Sequence, residues 1–191
     1  MRETNSENFN HLKIHSQFSI CEGAIKIDDL KDISKENKLK AVGLCDTSNL
    51  CGALEFAEKL SKSGSQPIIG TQINFKFNDT TGLIPLFALN EIGYKTIIKL
   101  SSLSFLKNDE LSDPHLDLNE LLNNNEGVAI FSGTINGLFG QLFNKGKFSE
   151  ISEIFSKLKN NYEDRFYIEI QRHGDQNLSL IHISEPTRPI D

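Results

Sequence analysis

The feature that most limits what this chain can fold into is a regular alternation between short apolar runs and amphipathic segments. Apolar runs fall at 12–15, 41–45, 68–77, 83–89, 128–132 and 166–171. Runs of this length, rich in β-branched and aromatic residues, predict strands. The intervening segments 27–37, 50–63, 91–103, 116–123, 138–144 and 148–160 predict helices; in the last, Ile151, Ile154, Phe155 and Leu158 recur at helical spacing. Asp28 and Ser149 are candidate N-caps, Gly64 a candidate C-terminal glycine, and Asn49 with Leu50 a cap for the second helix. Six strands alternating with helices predict an α/β fold on a mainly parallel sheet, open or closed into a barrel. Such folds gather functional groups at the C-terminal strand ends, where His15, Asp46 and His173 fall.

A chain of 191 residues can bury one sizeable core, or form part of a larger domain. Its formal net charge of -6 argues against gripping a phosphate backbone unaided, because such affinity rests on Lys and Arg neutralising phosphates. A local basic patch stays open. The three cysteines, Cys21, Cys45 and Cys51, are odd in number and lack CxxC spacing. That excludes a zinc knuckle or disulfide framework as the organising principle and fits a reducing cytoplasm. Cys45 and Cys51 read as packing residues. No apolar run reaches the roughly 18 residues of a membrane span, and the polar first ten residues do not form a signal peptide. The expectation is a cytoplasmic chain with no membrane partner.

Two pieces near the start resemble a metal site with ligands missing: His11-Leu-Lys-Ile-His15-Ser16 and Cys45-Asp46-Thr47-Ser48-Asn49-Leu50-Cys51-Gly52. Residues two apart on a strand share a face, so a His-x-His pair at a strand end can aim two imidazoles at one cation. Here the position two before His15 is Lys13, whose ammonium has no free lone pair and repels a divalent ion. His11 shares the face but lies about 13 Å along the strand, too far to share a cation with His15. The segment Cys45–Gly52 lacks the glycine spacing and Lys-Ser/Thr ending of a phosphate loop.

These motifs, with Glu22-Gly-Ala24 and Pro67-Ile-Ile-Gly70, resemble the polymerase and histidinol phosphatase (PHP) domain that opens bacterial replicative DNA polymerase alpha subunits. The likeness continues in order through Ala88-Leu-Asn-Glu-Ile-Gly-Tyr94, Phe131-Ser-Gly133 and Tyr167-Ile-Glu-Ile-Gln-Arg-His-Gly174, covering residues 9–177. The resemblance implies a distorted (β/α)7 barrel, here truncated at its C-terminal end after a flexible 1–8. In metal-binding members, histidines are expected at Lys13, at Thr47 and near Leu83, a glutamate at Gln72 and a cysteine at Thr134. Only His15, Glu22 and His173 survive from that set, and a later strand-end Asp-x-His lies beyond residue 177. Five departures together leave no credible metal cluster and match the degenerate proteobacterial branch, where the domain is structural.

The resemblance therefore implies a scaffold without a cofactor of its own, and no catalytic residue within this stretch. The longer parent chain would extend primed DNA with dNTPs, using Mg2+ on the acidic residues of a palm domain, and would assemble with the proofreading exonuclease and other replicase subunits. The alternative is a metal-dependent phosphoesterase, pyrophosphatase or exonuclease, and its ligand set fails at the five substituted positions. For Lys13 two readings stand: a solvated strand-end cation, or a replacement for the metal that pairs with Glu22 or Asp46. Residues 178–191 stand apart, because Leu178 to Arg188 resembles a translated sequencing-library adaptor. His182 is therefore set aside as a ligand, and a genuine short strand and loop is the competing reading of this tail.

Overall fold

The computed structural model describes residues 9–108 and 112–170. The chain runs β1 (His11–Ile14), α1 (Ile27–Glu36), β2 (Ala41–Thr47), α2 (Ala53–Ser63) and β3 (Gln66–Phe77). Next come β4 (Thr80–Ala88), α3 (Glu91–Leu106), β5 (Leu116–Asp117), α4 (Leu118–Asn123) and β6 (Val128–Phe131). Helices α5 (Leu138–Asn144) and α6 (Phe148–Tyr162) and a 3-10 turn at Glu163–Arg165 lead to β7 (Phe166–Tyr167). The class is α/β, as the alternation requires. The segment 1–8, His173 and the tail 178–191 lie outside the described residues.

Seven strands form one sheet in the order β1-β2-β3-β4-β6-β7, with β5 on the edge of β3 beyond the end of β2. Pairs β1–β2, β2–β3, β3–β5 and β6–β7 are parallel. Strand β4 is antiparallel to both neighbours, so the sheet is mainly parallel, as expected, with one reversed strand. The cause is local: Asn78 takes a left-handed φ of 53° and, with Asp79, closes a two-residue hairpin. A flat path of six strands would hold its ends about 24 Å apart, at about 4.8 Å per strand spacing. Yet Lys13 on β1 reaches Glu169, just past β7, at 3.3 Å. The sheet must therefore curl until its two ends meet.

Several local expectations shift. The predicted helix 116–123 divides into β5 and α4, because Asp117 accepts a hydrogen bond from Asn119 N at 2.8 Å and caps a helix that starts at Leu118. Helix α1 starts at Ile27 behind Lys26, leaving Asp28 inside the first turn, where it pairs with Lys59 at 2.6 Å. Ser149 likewise falls inside α6, behind Lys147. Asn49 does not cap α2, whose cap is Gly52; it braces the loop instead, donating to Phe18 O and Thr47 O at 3.0 and 2.9 Å. Cys51 is exposed, so of the two cysteines read as packing residues only Cys45 is one. Gly64 ends α2 at a φ of 86°, as expected of a C-terminal glycine.

Buried apolar side chains collect in two groups. The larger joins β3, β4 and β6 to α3–α6 through Phe75, Ile84, Leu100, Ile130 and Leu158. The smaller lies under α1 and α2, with Ile27, Leu30, Val42, Leu44, Phe56 and Leu60. Gly43 lets β1 lie against β2: a Cβ there would sit 2.2 Å from Leu12 O. Among the described residues no helix is long and apolar enough to cross a membrane.

Burial pushes the Cys45 thiol up, and also the Tyr162 phenol, although Arg165 offsets part of the latter. Unfolded, the two groups lose protons near about pH 8.5 and about pH 10, while the folded chain keeps them. The unfolded state then binds fewer protons, so stability should fall as pH rises through that window. Urea unfolding at about pH 7.5 and about pH 10 should show a lower midpoint at the higher pH. An unchanged midpoint would contradict the burial of these groups.

Candidate functional site

The site begins with one carboxylate. Asp46, second from the end of β2, is 1% exposed, and its oxygens accept from Ser16 N at 2.6 Å, Ser16 Oγ at 2.8 Å and Ser19 Oγ at 2.7 Å. Ser19 Oγ also accepts from Thr47 N at 3.0 Å, and Thr71 Oγ1 donates to Asp46 O at 2.6 Å. The loop after β1 is thereby fastened to the ends of β2 and β3. Asp46 was expected among the functional groups at the strand ends. It is instead turned away from the cavity and holds the loop that presents the others.

That cavity, about 330 Å³, opens at the strand ends and is lined by Lys13, His15, Glu22, Gln72, Leu83 and Thr134, together with Gly133, Asn136 and Gly137. Six of the eight positions singled out in the sequence thus meet in one place. Thr47, the seventh, lies beside the lining: it donates to Glu22 and accepts from Gln72 Nε2 at 2.8 Å. The eighth, His173, is outside the described residues. His11 faces elsewhere, into an apolar groove between β1 and α1. Leu83 and the 133–137 loop form one wall, joined where Leu83 N donates to Asn136 O at 3.3 Å.

Lys13 corrects one expectation. Its ammonium pairs with neither Glu22 nor Asp46 but with both oxygens of Glu169, at 3.3 and 3.4 Å. The two side chains are 16% and 9% exposed, so Lys13 is not a solvated strand-end cation either. Glu169 is itself anchored, its backbone N donating to Ser132 Oγ at 3.0 Å. Glu22 Oε2 stands 4.0 Å from His15 Nδ1, a buried ring nitrogen that has no hydrogen-bond partner among the described residues.

Sequence reasoning missed Glu169, Ser16, Ser19 and Asn136 as members of this region. Glu169 carried little local signal: of the run Phe166-Tyr-Ile-Glu-Ile170 only Phe166 and the Glu169 side chain are sheltered, while Tyr167, Ile168 and Ile170 are exposed.

The donor set does not fit a polynuclear metal centre. An ammonium already held by a carboxylate, a threonine hydroxyl, an amide, a leucine and a second threonine stand where ligands would be required. Among the described residues no three His, Cys, Asp or Glu side chains are grouped to hold an ion. Among the described residues the remaining His15–Glu22 pair can orient a polar molecule, but offers too few ligands to bind a metal tightly.

Comparison with known proteins agrees with the motif reading. The PHP domain family model matches residues 11–173. The chain is 35% identical over 187 residues to the DNA polymerase III subunit alpha of Caulobacter vibrioides, covering 91% of this chain and 16% of that protein. The Rickettsia felis subunit of the same name is 38% identical over 167 residues, 86% of this chain and 14% of the relative. The one from Borreliella burgdorferi is 32% identical over 185 residues, 91% and 16%. The chain therefore spans about a sixth of the length of these relatives or less.

If Asp46 fastens the loop, Asp46→Asn should cost about 2–3 kcal/mol, because one acceptor oxygen becomes a donor facing donors. Urea unfolding measures this directly. A loss below about 0.5 kcal/mol, the size of an ordinary surface change, would show that the loop is held by other contacts.

Proposed function

The chain belongs to the PHP domain family, and on that premise we propose that it is the N-terminal PHP portion of a replicative DNA polymerase III alpha subunit. The parent protein would be a DNA-directed DNA polymerase of DNA replication, a nucleotidyltransferase acting on primed DNA and dNTPs in the cytoplasm. The observation that carries this reading is the identity of 32–38% to three such subunits over 86–91% of the chain. Mg2+ would serve the polymerase region of the parent, outside this PHP portion. This portion itself is a non-catalytic scaffold, and its role is to dock the proofreading exonuclease and brace the polymerase. The ion-paired ammonium within the cavity supports the non-catalytic part of the reading.

Docking is tested by binding the 191-residue chain to the purified exonuclease subunit in a pull-down and by calorimetry. A stable complex is expected; no measurable affinity would remove the docking role.

The His15–Glu22 pair at the mouth of a real cavity favours one competing reading, a metal-dependent phosphoesterase, pyrophosphatase or exonuclease. Elemental analysis of the purified chain separates the two. Substoichiometric Zn, Mn and Fe are expected. Two or more tightly held ions per chain would return the hydrolytic reading to first place.

A further inference from the structure

The two apolar groups and the ion pair lie in a telling arrangement. The smaller group is built from residues between Ile14 and Ile69, under α1 and α2. The larger runs from Leu50 to Phe166 and holds β6, α6 and β7. Lys13 sits on β1 at the end of the sheet nearest the smaller group, while Glu169 follows β7 and hangs from Ser132 at the edge of the larger one. Strand β1 is only four residues long, and its register against β2 shifts between His11 and Ile14, so its backbone ladder is weak. The cavity straddles the same boundary, with His15 and Glu22 on one wall and Leu83, Thr134 and Asn136 on the other.

We propose that the Lys13–Glu169 ion pair is a latch between the two ends of the curled sheet, and that its release lets β1 open on the Lys13 side of the cavity while Asp46 keeps the following loop fastened to β2. A charged pair this sheltered costs heavily when one partner is lost, because the other charge stays desolvated. That cost falls on the least supported element, the short strand β1, rather than on the larger group. Parts of a fold with few buried contacts open below the global unfolding free energy. Asp46 holds Ser16 and Ser19 on β2, so the opening is bounded at the end of β1, before the first residue that Asp46 holds.

The test is hydrogen exchange by mass spectrometry on the 191-residue chain, unmodified and as Lys13→Met, Glu169→Gln and the swapped pair Lys13→Glu with Glu169→Lys. Each single change should speed exchange of residues 11–14 about tenfold while α5 and α6 keep unmodified rates, and the swap should restore most of the protection. Unchanged exchange at 11–14 would overturn the latch, as would acceleration spread equally into α6 or a swap that restores nothing. Should a single variant fail to fold, the unmodified chain still decides. Exchange at 11–14 must then depend less on urea than exchange at Ile154 and Leu158 does. Equal dependence would make the chain one cooperative unit and defeat the proposal.

Discussion

Everything at the strand ends depends on Asp46 being buried and satisfied. A carboxylate at 1% exposure is tolerable only because three donors converge on it, two of them from Ser16. Those donors come from the loop after β1, so the requirement to satisfy one buried carboxylate dictates where that loop must lie. The loop then delivers His15 and Glu22 to the cavity and brings Phe18 against Gly52 at the entrance to α2. Removing the carboxylate would leave the loop without its fixed point, however well the apolar groups were packed.

Much of this was legible from residues alone, for physical reasons. The alternation of apolar runs and amphipathic stretches reports burial directly, so the elements and the α/β class followed from it. The ligand positions came from the family resemblance rather than from spacing, and Lys13, His15, Glu22, Gln72, Leu83 and Thr134 do share one cavity. The hairpin at Asn78-Asp79 is absent from the sequence reading, because a strand placed at 83–89 starts three residues late and makes the connection look longer than it is. What the sequence could not supply was pairing at a distance. Lys13 and Glu169 are 156 residues apart, and nothing local says which carboxylate an ammonium will choose.

The substituted site follows one chemical logic. A cluster of ligands without its metal would leave several buried lone pairs and charges repelling one another. Here an ammonium supplies a fixed positive charge, while Thr47 and Gln72 supply neutral groups that can donate to Glu22 and to each other. The polar groups that remain are largely satisfied from within the chain. Among the described residues His15 Nδ1 is the exception, a buried nitrogen without a partner. It marks the point where the substitution of one chemistry by another is incomplete.

The separation of Lys13 from Glu169 also fixes an order of events in time. A ribosome adding about 5–20 residues each second needs about 8–30 s to make the intervening chain. During that interval the first strand and its loop can settle on β2 and β3 through Asp46, but β1 has no Glu169 to close against. The curl of the sheet therefore waits on the chain beyond β7, and the N-terminal third must persist for a time as a half-closed shell.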